Sequence, residues 1–273
     1  MHSVSVPAHL DIHGIRLVNL ALDEAVAAID AAIMAKSPTR IAFVNADCVN
    51  IAATDADYRQ NLADMDWIFV DGIGMRIAGK MLQQPVRDNV NGTDLFPKLC
   101  ASMAQQKQRL YLLGARPGVA EAVGHWVNTH HPGVNVVGTQ DGYFNQDTEQ
   151  QVLSEIRAAR PDVVLVALGA PRQETWINQH IAATGASVVI GVGGLFDYYS
   201  GRIPRAPLWM RRFGLEWLFR LSQEPARLWR RYLIGNGLFM YRIILRYLRQ
   251  PQQKNAQANT PANAPKTSET RRT

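Results

Sequence analysis

Four segments of the chain place polar or glycine-rich residues directly after short apolar runs, where side chains could do chemistry. Asn45 and Asp71 each follow such a run, as do the segments 169–174 and 191–197. A carboxylate just past a buried strand is partly desolvated, which raises its pKa and suits it to proton abstraction. Asp71 is therefore a candidate general base, although an Asp-Gly pair at a strand end could equally cap the next helix.

The segment 191–197 offers backbone N–H groups that no side chain obstructs. Gly191, Gly193 and Gly194 could cradle phosphate oxygens, or they could serve only a tight turn. The spacing does not match the dinucleotide pattern G-x-G-x-x-G, because Phe196 stands where the third glycine belongs. The acidic residue expected on the next strand is also missing. These departures disfavour a nicotinamide-dependent oxidoreductase.

The segment 169–174 places Pro171 where the first turn of a helix would begin. Free N–H groups of that turn would then point towards a ligand. Gln173 could reach the edge of a base or a sugar. A simple strand-to-helix turn explains the same residues equally well.

Arginines dominate the part of the chain that follows these segments. Arg202 and Arg205 could pair with phosphate, and Arg220, Arg227 and Arg231 recur on one helical face. We see no cluster of Asp, His or Cys that predicts a metal site and expect no cofactor. A diphosphate leaving group without a metal requires cationic side chains. The arginines would supply that charge.

The net charge of +6 is distributed unevenly. Residues 1–204 contain 15 basic and 20 acidic side chains, whereas residues 205–250 contain ten arginines and two glutamates. Residues 251–273 contain four basic side chains and one glutamate. A basic segment attached to a mildly acidic body indicates an anionic partner, either nucleic acid or anionic lipid.

Short apolar runs alternate with amphipathic stretches through the first 204 residues. Such alternation predicts an α/β, Rossmann-like body, with a mostly parallel sheet and helices on both faces. The expected strands are 15–19, 41–45, 67–70, 110–113, 134–138, 163–168 and 188–190, and the expected helices are 22–35, 72–82, 94–106, 117–130, 148–159 and 172–183. In a parallel sheet, ligands bind at the carboxyl ends of the strands, which is where the four segments lie.

The composition changes after Pro207. Residues 205–250 combine arginines with Trp, Phe and Tyr at helical spacing, and we expect a basic helical C-terminal appendage there. Its longest apolar stretch, 232–248, contains Asn236, Arg242 and Arg246, so it is too short and too polar to span a bilayer. An interfacial helix fits this pattern better. Residues 251–273 are expected to be a disordered tail.

Taken together, the motifs identify a resemblance. The chain resembles the WecG/TagA/CpsF family, glycosyltransferase family 26, across nearly all of residues 10–250. The resemblance depends on the order and spacing of several short blocks: 44–47, 70–72, 91–95, 141–144, 169–174, 191–194, 205–207 and 214–218.

The resemblance implies an inverting, metal-independent transferase that uses a uridine diphosphate sugar. Asp71 matches the family's general base, and Asn45 lies where some members carry a Thr that orients the sugar. Nucleotide-site positions are matched by Tyr143, Gln173 and Asp197, and the arginines of a membrane-docking appendage by Arg220, Arg227 and Arg230. The other residues of these blocks that we expect at the substrates are Gly72, Asn91, Asp94, Gly169, Glu174, Gly191, Gly193, Gly194 and Arg205.

The resemblance also implies the partners. The acceptor would be a saccharide on a polyprenyl diphosphate, used for a cell-surface polysaccharide. The enzyme would be peripheral on the cytoplasmic face of the cell membrane, attracted to its anionic surface, and would not bind nucleic acid. Self-association through the aromatic appendage is a further expectation. The alternative is a nucleic-acid-binding module that uses the arginine-rich segment, for which binding should fall steeply with salt.

Overall fold

A parallel sheet lies at the centre of the computed structural model, which describes residues 9–258 and the side chains of residues 9–249. Two short strands, β1 (His9–Ile12) and β2 (Ile15–Val18), form a separate antiparallel hairpin. The sheet contains β3 (Thr39–Val44), β4 (Trp67–Val70), β5 (Arg109–Gly114), β6 (Asn135–Gln140), β7 (Val163–Ala167) and β8 (Val188–Gly191). Its strand order is β4-β3-β8-β7-β5-β6, and every neighbouring pair is parallel.

Helices cover the sheet on both faces. They are α1 (Leu22–Met34), α2 (Ala46–Ala52), α3 (Ala56–Ala63), α4 (Ile73–Met81), α5 (Gly92–Gln106), α6 (Val119–His130), α7 (Gln146–Ala159), α8 (Arg172–Thr184) and α9 (Leu195–Tyr199). Successive strand residues point to opposite faces, so Val164 and Val166 of β7 enter one apolar cluster, and Val163 and Leu165 the other. The expected α/β, Rossmann-like architecture is confirmed.

The expected strand at 15–19 does not belong to the parallel sheet. It is β2, and it pairs with β1 through a turn at His13 and Gly14, whose φ angles are 57° and 83°. Only these two residues separate the strands, and a connection that short joins antiparallel neighbours. The pattern of apolar runs did not reveal β1, nor the two helices α2 and α3 between β3 and β4.

Five helical segments follow the body. They are α10 (Leu208–Arg212), α11 (Glu216–Gln223), α12 (Pro225–Trp229), a π-helical turn (Arg230–Ile234) and α13 (Gly235–Ala258). Helix α13 packs against α2 and α4, where Phe239 and Ile243 are buried. Because α13 continues to Ala258, the expected boundary at 250/251 is not a helix end; residues 259–273 of the expected tail lie outside the described residues.

Within residues 9–258, no helix combines the length and the apolar character that crossing a bilayer requires. Large apolar side chains are nevertheless exposed in the appendage, by which we mean residues 205–250. Of the 15 exposed large hydrophobic residues in the described part of the chain, 12 belong to it. These are Leu208, Trp209, Phe213, Leu218, Trp229, Leu233, Ile234, Leu238, Tyr241, Ile244, Tyr247 and Leu248.

Candidate functional site

The carboxyl ends of the parallel strands bring the four segments to one edge of the sheet. Asn45 follows β3, and Asp71 follows the neighbouring strand β4. The segments 169–174 and 191–197 follow β7 and β8, which are also neighbours. Since β8 lies beside β3, the four loops form one continuous row.

Asn45 and Asp71 form the first pair of this row. The Oδ1 atom of Asn45 accepts hydrogen bonds from the backbone N–H groups of Asp47 (3.0 Å) and Cys48 (3.2 Å), which caps α2. The same side chain hydrogen-bonds the Asp71 carboxylate. Its oxygen is used by the cap, so its amide group is the donor. Asn45 therefore orients Asp71, and its expected contact with the sugar remains a prediction.

Burial raises the pKa of the Asp71 carboxyl group above its ordinary value, as the sequence led us to expect. The hydrogen bond from Asn45 and the charges of Arg231 and Arg220 act in the opposite direction, and Asp94 adds a smaller upward effect. The net effect is a carboxylate that binds a proton more readily than an exposed one does. Such a group suits general base catalysis near neutral pH.

The backbone beside Asp71 is held in an unusual conformation. Gly72 has a φ angle of 95°, which favours glycine, and it lies directly before α4. Its N–H group donates to Oδ1 of Asn89 at 2.7 Å. Asp71 does not supply the cap of α4, since no side chain caps that helix. This leaves the carboxylate available for another role.

Two arginines of the appendage reach this edge of the sheet. Arg220 lies with its guanidinium carbon 5.1 Å from the centre of the Tyr198 ring and with its Nη2 atom against Gly194. The Nε atom of Arg231 is 3.1 Å from Oδ2 of Asp47, next to the Asn45 cap. Both arginines therefore bring positive charge to the side of the site where Asp71 lies.

Gln173 and Glu174 form the second pair of the row. The Oε1 atom of Gln173 accepts hydrogen bonds from the N–H groups of Gly169 (3.2 Å) and Gly193 (3.0 Å), and its Nε2 atom donates to Oε1 of Glu174 at 2.8 Å. Gln173 is only 4% exposed and Glu174 is fully buried. Gln173 thus joins the β7 and β8 loops inside the protein, and its expected contact with a base or sugar remains a prediction.

Asn91, Asp94 and Arg205 form an internal network. Asn91 caps α5 by accepting from the Asp94 N–H group (2.8 Å), and its own amide donates to the Asp94 carboxylate (2.7 Å). Arg205 and Arg211 approach Asp94 at 2.7 Å and 3.3 Å. Burial raises the pKa of Asp94, but the hydrogen bonds from Asn91 and Arg205 outweigh it and lower the net value. These residues tie the appendage to the body.

Four further expected site residues are exposed or have partners of their own. Tyr143 is 71% exposed, and Asp197 forms an ion pair with Arg202 at 3.0 Å. Arg227 pairs with Glu224 within the appendage, and the guanidinium carbon of Arg230 lies 5.2 Å from the centre of the Trp229 ring. None of these four contacts involves Asn45 or Asp71, so their roles at a substrate remain predictions.

The sequence prediction of the site did not include Asn89, Tyr198 or Arg231. The arginine spacing of seven and four residues did place Arg231 on the face of Arg220 and Arg227, but the resemblance favoured its neighbour Arg230. No pattern pointed to Asn89 or Tyr198. Among the residues that the structure describes, no group of three His, Cys, Asp or Glu side chains is arranged to hold a metal ion.

Comparison with known proteins gives consistent results. The model of the glycosyl transferase WecG/TagA/CpsF family matches residues 10–253. A Bacillus subtilis protein named N-acetylglucosaminyldiphosphoundecaprenol N-acetyl-beta-D-mannosaminyltransferase is 36% identical over 193 residues, which cover 71% of this chain and 74% of the relative. The protein of the same name from Bacillus spizizenii is 38% identical over 176 residues, covering 64% and 67%.

Proposed function

The chain belongs to the glycosyl transferase WecG/TagA/CpsF family, and we propose that it transfers an N-acetylmannosamine-type hexose from a uridine diphosphate sugar to a saccharide on a polyprenyl diphosphate. The names of the two Bacillus relatives support the acceptor and the type of sugar. The observation that carries the proposal is the pair of Asp71 and Asn45 beside Arg220 and Arg231.

In the proposed reaction, the Asp71 carboxylate removes the proton from a hydroxyl group of the acceptor. The acceptor oxygen attacks the anomeric carbon of the donor as the bond between that carbon and the diphosphate oxygen breaks. A single displacement of this kind inverts the anomeric configuration. Negative charge develops on the leaving diphosphate, and the guanidinium groups of Arg220 and Arg231 stabilise it without a metal ion.

We further propose that the appendage holds the enzyme on the cytoplasmic face of the cell membrane, where a lipid-linked acceptor would be found. Its 12 exposed large apolar side chains would enter the interface, and its arginines would face anionic headgroups. Each basic residue near such a surface contributes about 1 kcal/mol. Arg220 and Arg231 belong to the same segment, so membrane attachment and completion of the site would be coupled.

A nucleotide-sugar panel tests the proposed donor. We expect the uridine diphosphate form of one N-acetylhexosamine to raise the unfolding temperature of the protein, because a ligand that binds only the folded state stabilises it. With that donor and a polyprenyl-diphosphate-linked N-acetylglucosamine, mass spectrometry should detect one added N-acetylhexosamine residue, also in the presence of EDTA. Binding of DNA or RNA instead, with no sugar transferred, would contradict the transferase and support the nucleic-acid-binding alternative.

A further inference from the structure

The pair of buried polar side chains at Gln173 and Glu174 is not used by the proposed reaction. Glu174 is fully buried, and its Oε2 atom has no hydrogen-bond partner. Burial raises the pKa of this carboxyl group to about 7. A group that is so poorly solvated destabilises the folded state when it is charged. A role at the site would explain why a carboxyl group occupies this position.

We propose that Glu174 is a positioning residue for the donor site, because its carboxyl group fixes the orientation of the Gln173 amide that joins the β7 and β8 loops. The proposal rests on the proposed function in one respect: the loop 191–194 is taken to receive the donor diphosphate. Glu174 itself is buried beneath this loop region and would not touch the substrate.

The two ends of the Gln173 amide face different partners. Oε1 faces two backbone donors, the N–H groups of Gly169 and Gly193, and Nε2 faces the Glu174 oxygen at 2.8 Å. If the amide were rotated by half a turn, its NH₂ group would face two donors and its oxygen would face the carboxyl oxygen. The two backbone donors disfavour the rotated amide whatever the charge of Glu174, and the ionised form of Glu174, which can only accept, disfavours it further.

The Gln173 side chain is packed closely against the backbone of Gly191. A Cβ atom placed on Gly191 would lie 2.9 Å from Nε2 of Gln173. The glutamine is thus packed between the start of α8 and the end of β8, and Gly193 has a φ angle of 52°. The Gly193 N–H group is bound by Gln173, and the Val192 N–H group donates to the Val166 carbonyl at 2.8 Å, so both contacts fix the path of the loop that leads to Gly194.

Exchanging the two side chains tests this arrangement. In Gln173→Glu, two carboxyl groups face each other, and we expect kcat/KM for the donor to fall by about tenfold or more. In the double variant Gln173→Glu with Glu174→Gln, the carboxylate introduced at position 173 can accept from both glycines and from the amide introduced at position 174. We expect the double variant to recover to within about threefold of the wild type.

Glu155→Gln, on the exposed face of α7, is the matched control and should leave kcat/KM unchanged. A double variant that is folded but no more active than Gln173→Glu would overturn the proposal. If neither of these variants folds, Glu174→Leu and Glu174→Gln provide the test. Leucine cannot accept the hydrogen bond and should lose several-fold more affinity for uridine diphosphate than glutamine does; equal affinity in the two would overturn the proposal.

Hydrogen exchange separates this proposal from the proposed function. Glu174→Leu should speed the exchange of the Gly169 and Gly193 amides relative to the Glu155→Gln control, whether or not the wild type transfers a sugar. Unchanged protection of both amides in folded Glu174→Leu would overturn the positioning role. Absence of transfer by the wild type, with the expected loss of protection in the variant, would overturn only the proposed function.

Discussion

The strand-end edge of the body holds polar side chains in internal hydrogen bonds, whereas the appendage exposes large apolar side chains. At the strand ends, polar side chains form hydrogen bonds within the body: Asn45 caps α2, and Gln173 joins the β7 and β8 loops. In the appendage, large apolar side chains such as Trp209 (57% exposed) and Phe213 (73% exposed) remain in contact with solvent. The polar side chains at the strand ends thus find hydrogen-bond partners within the body, whereas the appendage exposes an apolar surface that suits a lipid phase.

Both ion pairs and buried apolar side chains connect the appendage to the body. Arg205 and Arg211 contact Asp94, Arg231 contacts Asp47, and Arg246 contacts Asp11. Isolated surface ion pairs contribute little to stability, typically about 0–1 kcal/mol each. The burial of Phe239 and Ile243 adds an apolar contribution. A helical segment attached in this way can present some arginines to the site and others to an anionic surface.

The largest loss of activity is expected from a substitution in the body, at Asp71. Asp71→Asn keeps the shape of the side chain but removes the base, so kcat should fall about 10²–10⁴-fold. Binding of uridine diphosphate, measured by calorimetry, should change little. Asp57→Asn, an exposed position on α3, is the control. Single-turnover rates of Asp71→Asn close to those of the wild type would show that another group is the base.

The next effect tests whether the appendage contributes to the site. Arg220→Ala and Arg231→Ala should each lower kcat by about 10²-fold, because each removes positive charge beside Asp71 and the leaving diphosphate. Arg227→Ala in α12 and Arg230→Ala, in the same π-helical turn as Arg231, are the controls, and they should lower kcat much less because these arginines contact Glu224 and Trp229. Equal losses in all four variants would show that Arg227 and Arg230 also act on the diphosphate.

A smaller effect concerns the exposed apolar surface. The double variant Trp209→Ser with Phe213→Ser should weaken binding to vesicles that contain anionic lipid by about thirtyfold, because each side chain contributes about 1 kcal/mol. Met34→Ser removes an apolar side chain that is 71% exposed on the body and serves as the control. Cosedimentation measures both. Equal binding of the two proteins would argue against a membrane role for the appendage.

The smallest effect separates the two roles of Asn45. Its hydrogen bond stabilises the Asp71 carboxylate and thereby lowers a pKa that burial raises. Activity requires the deprotonated form, so it should increase as pH rises through this pKa. Asn45→Ala should therefore move the acidic limb of the pH profile to higher pH, because the hydrogen bond that lowers the Asp71 pKa is lost.

Asn45→Ala also loses the cap of α2, which costs about 1 kcal/mol of stability. Asn45→Ser retains a capping oxygen and provides the control. Both variants should shift the acidic limb, but thermal unfolding should show a loss of stability mainly in the alanine variant. An acidic limb that stays in place in both would mean that Asn45 does not act through Asp71.

Much of the fold could be predicted because its signals are local. The apolar run 163–168 and the stretch 172–183 were placed within one or two residues of β7 and α8. The sequence did not predict the hairpin of β1 and β2, because a four-residue strand is too short for its pattern to indicate which strand it pairs with. Helices α2 and α3 are also short, and only their caps at Asn45 and Asp55 signal them.

The sequence by itself determined which residues lie at the strand ends, since the alternation of strands and helices depends on neighbours along the chain. Only the tertiary structure decided what those residues do there. Gln173 and Arg205 are taken up by internal partners, because Gly193 and Asp94 reach them from 20 and 111 residues away. Adjacent helical residues point about 100° apart, so the docking of the appendage brings Arg231 to Asp47 and leaves the neighbouring Arg230 against Trp229.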